Sequence, residues 1–129
     1  METKNGEVAL KGEALARFVA RAADDKRAHN IVILNMKGIS IMADYFVICH
    51  GNSEKQVQAI AGEIEDVCEE AGVPLKRMEG FENGRWVLVD LGDVIVHVFH
   101  KDDRDYYQLE KLWGDAPMET YAGEAGENG

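Results

Sequence analysis

Cations are scarce in this chain. Lysine and arginine total 14 against 24 aspartates and glutamates, a formal net charge of −10 at pH 7 over 129 residues. Gripping nucleic acid through its phosphates requires a basic stripe, so little direct nucleic-acid contact is expected. An acidic chain suits a basic protein partner. Cysteine is almost missing as well. Cys49 and Cys68 are the only two, each in an apolar-periodic stretch, and both read as small buried hydrophobes. No apolar run approaches the roughly 20 residues of a membrane span. The opening "METKNGEVAL" has neither the basic-then-apolar pattern of a signal peptide nor the arginine-rich character of a transit peptide. A soluble, cytoplasmic protein without membrane contact is the expectation. The four histidines form no closely spaced set, so no metal is expected. No glycine-rich phosphate loop and no Ser-His-Asp or Cys-His signature stands out, so neither an enzyme nor a cofactor is expected.

What is present is core. Hydrophobic residues make up 46% of the chain, enough for one domain. From Glu7 to Arg27 the pattern is helical, with Leu15, Phe18, Val19 and Ala22 on one stripe. "NIVILNM" and "YFVICH" read as strands. Ser53 opens the clearest helix, because "SEKQ" fits a capping box between Ser53 and Gln56. Gly72 and Pro74 end it. "PLKRMEG" can hold a short strand, and Asn83-Gly84 marks a hairpin turn. A last helix, N-capped by Asp102, carries Tyr106, Leu109, Leu112 and Trp113 on its apolar side. The domain is drawn as 1–118, followed by an acidic, glycine-rich, disordered tail over 119–129. The order α-β-β-α-β-β-β-α indicates an α/β (α+β) fold, a single mixed sheet of about five strands with helices mainly on one face.

The segment "RWVLVDLGDVIVHVFH" (85–100) reads as a hairpin with two chemically different faces. With the turn centred on Leu91-Gly92, Asp90 faces Asp93, Leu88 faces Ile95 and Trp86 faces His97. The other face holds Val87, Val89, Val94, Val96 and Val98. Burying those valines beneath helices is worth about 1.5–3 kcal/mol each before entropy costs. Carboxylates are seldom buried unpaired, so the Trp86 face is expected to be partly open to water. An open face bearing aromatic anchors resembles the centre of a protein interface. Strand parity therefore gives a partner-binding set of Trp86, Leu88, Asp90, His97 and Phe99, with Asp44, Tyr45 and Tyr106 as neighbours. His97 has the chemistry to titrate near neutral pH.

Three segments, "ADYFVICHGNSEKQVQAIA", "EGFENGRWVLVDLGDVIVHVFH" and "YYQLEKLWGDAP", resemble the ribosomal silencing factor (RsfS/Iojap) family. The likeness runs from about Leu15 to Pro117 and leaves the segment after Met118 outside. It implies a sheet with nucleotidyltransferase-like topology and no such chemistry. It implies binding to the large ribosomal subunit through ribosomal protein uL14, a steric block on joining with the small subunit, and repression of translation under nutrient limitation. It also implies a homodimer when free. Two readings compete: a small nucleotidyltransferase-like enzyme, suggested by Gly51-Asn52-Ser53 before a helix, and a dimeric scaffold whose open face serves only self-association.

Overall fold

The structure, a computed structural model, describes residues 10–122. Helix α1 spans Gly12–Asp25. Its stripe of Leu15, Ala16, Val19, Ala20, Ala22 and Ala23 is buried, as the three-and-four spacing requires. The first residues of the expected helix, before Leu10, lie outside the described residues. Strands β1 (His29–Asn35) and β2 (Tyr45–Gly51) form an antiparallel pair.

Helix α2 spans Glu54–Glu70. Ser53 Oγ accepts from the Gln56 amide at 3.0 Å, as the box predicts. The Gln56 side chain reaches one residue further back than a standard box, accepting from Asn52 N at 2.8 Å. Its Nε2 donates to the Arg27 carbonyl at 3.0 Å, tying the start of α2 to the end of α1. At the other end Gly72 takes φ +75°. Gly72 N donates to Glu69 O and Val73 N to Cys68 O, the paired bonds of a glycine-terminated helix. Both cysteines are free and buried.

Strands β3 (Arg77–Glu79), β4 (Trp86–Asp90) and β5 (Val94–His100) follow. Then come α3 (Lys101–Tyr107), α4 (Leu109–Leu112) and β6 (Met118–Thr120). Among the described residues the sheet is mixed and has six strands in the order β3-β4-β5-β2-β1-β6. Of these neighbouring pairs β2 and β5 run parallel and the others antiparallel.

The sixth strand corrects the expected tail. Residues from 119 onward begin as an edge strand: Met118, Glu119 and Thr120 pair with Leu34, Ile33 and Val32. All three side chains are exposed, so no apolar alternation announced the strand. Main-chain bonds and an Arg17–Glu119 ion pair hold it. The remainder of the expected tail, 123–129, lies outside the described residues.

The last helix is also corrected. It breaks at Gln108, which adopts φ +50° and ψ +53°, and its cap is His100, whose Nδ1 accepts from Asp102 N at 3.1 Å. The expected cap, Asp102, is already in the first turn.

The sheet divides two cores. On one face α1 and α2 cover Ile31, Ile33, Val47, Cys49 and the five hairpin valines. On the other face Val32, Leu34, Met36, Phe46, Ile48, Ile95 and Phe99 form a second cluster, capped by Trp86, Leu88, Leu109 and Trp113.

Candidate docking face

Strand parity places the hairpin residues as expected by face, but the register differs by two. Trp86 lies opposite Phe99, Leu88 opposite His97, and Asp90 opposite Ile95. The turn closes through Leu91 N to Val94 O at 2.9 Å. A longer turn of the same parity slides the partners and keeps the faces.

The face is less open than expected. Phe99 is fully buried and His97 is 6% exposed, because the second cluster closes over β5 in the middle of the sheet. Trp86, Leu88 and Asp90, on the neighbouring strand β4, remain half-buried. The Trp86 ring lies 4.8 Å from Phe99 and 4.9 Å from Tyr107, centroid to centroid. Tyr106 stands edge-on to Tyr107 at 5.0 Å and is 80% exposed. Trp86 and the two tyrosines thus form an aromatic ridge over buried Phe99.

Trp86 Nε1 donates to His97 Nδ1 at 3.2 Å. An indole N–H is only a donor, so the proton of neutral His97 sits on Nε2. That Nε2 is buried without a hydrogen-bond partner. Burial pushes the His97 pKa down to about 4, so the expectation of titration near neutral pH is corrected.

Asp90 works inside the hairpin. Its Oδ1 accepts from Gly92 N at 2.9 Å, and its Oδ2 lies 3.6 Å from Arg77 Nε. Asp44 sits at the same end of the sheet, its amide bonded to Asp93 O at 2.8 Å. Tyr45 is a correction: its side chain belongs to the core beneath the helices, on the far side of the sheet from Trp86. The residues brought together are therefore Trp86, Leu88 and Tyr106, with Asp90 and Asp44 toward the turn.

Two features were missed. Tyr107, not Tyr106, packs on Trp86. On one continuous helix Tyr106 falls on the stripe with Leu109 and Trp113; the break at Gln108 takes the following residues off that stripe, and Tyr106 is left exposed. The second is buried Arg104. Its Nη2 and Nε donate to Glu110 Oε2 at 2.6 and 3.1 Å, and its Nη1 contacts His50 Nδ1 at 3.0 Å. Residues six apart lie on different sides of a continuous helix, so nothing short of the break announces this pair. Among the described residues no group of three or more His, Cys, Asp or Glu is placed to hold a metal ion, and no helix is long and apolar enough to cross a membrane.

Residues 9–128 match the family model described as "Ribosomal silencing factor during starvation", so the segment after Met118 falls inside the family pattern. The chain is 65% identical over 109 residues to the ribosomal silencing factor RsfS of Bacillus subtilis (strain 168), covering 84% of this chain and 92% of that protein. It is 31% identical over 107 residues to the chloroplastic protein Iojap of Zea mays, covering 82% of this chain and 46% of that protein. A crystal structure from Bacillus halodurans superposes with a TM-score of 0.76 at 58% identity, covering 85% of this chain and all of that one.

Proposed function

The chain belongs to the ribosomal silencing factor RsfS family, and on that premise we propose that it binds the large ribosomal subunit through ribosomal protein uL14 and blocks joining with the small subunit. Translation then falls under nutrient limitation. The action is steric and requires affinity and bulk.

The observation that carries the docking part is the aromatic ridge. Trp86, Leu88 and Tyr106 offer apolar area at the surface, and Asp90 and Asp44 add negative charge toward the turn. Buried Phe99 and His97 hold the ridge from beneath. A rigid aromatic anchor over a filled core loses little side-chain entropy on binding. The acidic balance of the chain, −10, favours a basic ribosomal protein over bare RNA. An interface of roughly 800 Å² per partner is within reach of one sheet edge and the α3 surface.

The test is to incubate purified protein with large subunits before adding small ones and to follow joined ribosomes by sedimentation. The yield is expected to fall with the wild-type chain and to recover with Trp86→Glu. An unchanged yield with the wild type rejects silencing. We further propose that the free chain forms a homodimer. A Trp86→Glu chain that becomes monomeric yet still co-pellets with large subunits assigns the ridge to the dimer instead.

A further inference from the structure

Away from the ridge, a cavity of about 480 Å³ opens between the second sheet face and the α3–α4 segment. Its floor is Val32 and His50, and β6 closes one side through Met118 and Thr120. Two observations set it apart from an ordinary surface dimple.

The first is strain. Among the described residues three non-glycine residues have positive φ, and two of them, Asn30 at +49° and Gln108 at +50°, line this cavity. Asn30 sits in an irregularity where the β1–β2 register shifts between His29 and Val32. Gln108 is the break between α3 and α4. Left-handed backbone is tolerated by asparagine and unfavourable for glutamine, and such outliers gather where a site is held in shape. Asn30 and Gln108 both line the cavity, and neither side chain makes a hydrogen bond among the described residues.

The second is a fixed, unused donor. His50 is 7% exposed, and its Nδ1 faces Arg104 Nη1 at 3.0 Å. Arginine only donates, so Nδ1 accepts and the proton of the neutral ring is on Nε2. Among the described residues His50 Nε2 has no hydrogen-bond partner. The buried Arg104 charge is already matched by Glu110 at 2.6 Å. At the rim Asp105 and Lys111 oppose each other in sign, so the cavity has no charge left over to hold an anion.

We propose that this cavity binds a neutral, planar ligand with a hydrogen-bond donor and acceptor side by side, the chemistry of a purine base. Carboxamides match such an edge with two bonds, the His50 N–H adds a further donor, and Val32 and Met118 supply apolar contact. The volume lies within the range of small-molecule sites. The inference is independent of the ridge and of the ribosome.

The test uses the full chain with adenine as the probe and inorganic phosphate as the control, followed by nitrogen-edited NMR. Adenine is expected to shift His50 Nε2 and the side-chain amides of Asn30 and Gln108, and phosphate to shift none of them. Asn30→Gly and Gln108→Gly remove a carboxamide while relieving the positive φ. They are expected to weaken adenine binding by at least about fivefold and to leave the melting temperature unchanged or raised. A purely structural role for these side chains predicts a lower melting temperature and no change in binding. The proposal is overturned if adenine shifts none of the three groups, if phosphate displaces it from them, or if both glycine variants bind it as the wild type does.

Discussion

Trp86 and His97 are joined side chain to side chain at 3.2 Å although neither is the other's ladder partner. The bond runs diagonally from β4 to β5 on the second sheet face. It fixes the indole over the sheet and fixes the tautomer of the imidazole beneath it. The exposed ridge and the buried ring therefore behave as one unit, and titrating the ring disturbs the ridge.

The sign of the pH effect follows. The His97 pKa falls from 6.5 to about 4 on folding, through desolvation. Between those values the unfolded chain binds a proton that the folded chain refuses, so stability falls as pH drops from about 6.5 toward 4. Below that the contribution is lost. One pKa unit is worth about 1.4 kcal/mol, giving about 3 kcal/mol at full extent. Urea midpoints at pH 7.5 and pH 5 are expected to differ for the wild type and to differ less for His97→Phe; the remaining difference belongs to His50, whose pKa burial and the nearby Arg104 charge also lower to about 4.

Gly80 supports the same ridge from the backbone. A Cβ there would lie 2.2 Å from the Trp86 carbonyl oxygen, and φ is +81°. Gly38 has a similar φ of +80° with nothing within 4 Å. Gly38→Ala is expected to cost about 1–2 kcal/mol, for backbone strain alone. Gly80→Ala adds a backbone clash and is expected to cost clearly more and to weaken subunit binding. Denaturant midpoints and co-pelleting of the two variants compare them directly.

The faces of the hairpin were legible because Val87, Val89, Val94, Val96 and Val98 alternate without a fault, and the helix cap because Ser53 and Gln56 have only one local use. The register was not legible, since turns of equal parity hide the same valines. The break at Gln108 carries no glycine or proline to mark it, so Tyr106 and Tyr107 exchanged roles. Strand β6 escaped notice because its three exposed side chains do not alternate, and Arg17 meets Glu119 across 102 residues of sequence.

The cap of α2 has two separable parts. Ser53→Ala removes the bond to Gln56 N and is expected to cost about 1 kcal/mol. Gln56→Ala removes the bond from Asn52 N at 2.8 Å and the bond to Arg27 O at 3.0 Å. The second loss unties two helices, so it is expected to exceed the first. Thermal melts of both single variants and the double variant test this, with non-additivity expected because the two side chains share one turn.

The Arg104–Glu110 pair is unequal in burial, with side-chain exposures of 8% and 27%. That inequality decides which partner is costlier to lose. Glu110→Ala strands a guanidinium under α4 with, among the described residues, the His29 carbonyl at 3.3 Å and His50 Nδ1 left to it. Removing one partner from a buried pair costs about 3–5 kcal/mol. Arg104→Met instead leaves a carboxylate that water reaches and fills the buried space with an unbranched apolar chain. Glu110→Ala is therefore expected to destabilise more than Arg104→Met. Denaturant unfolding is expected to place both below the wild type in that order; the reverse order would mean that the carboxylate, and not the guanidinium, is the group the fold must neutralise.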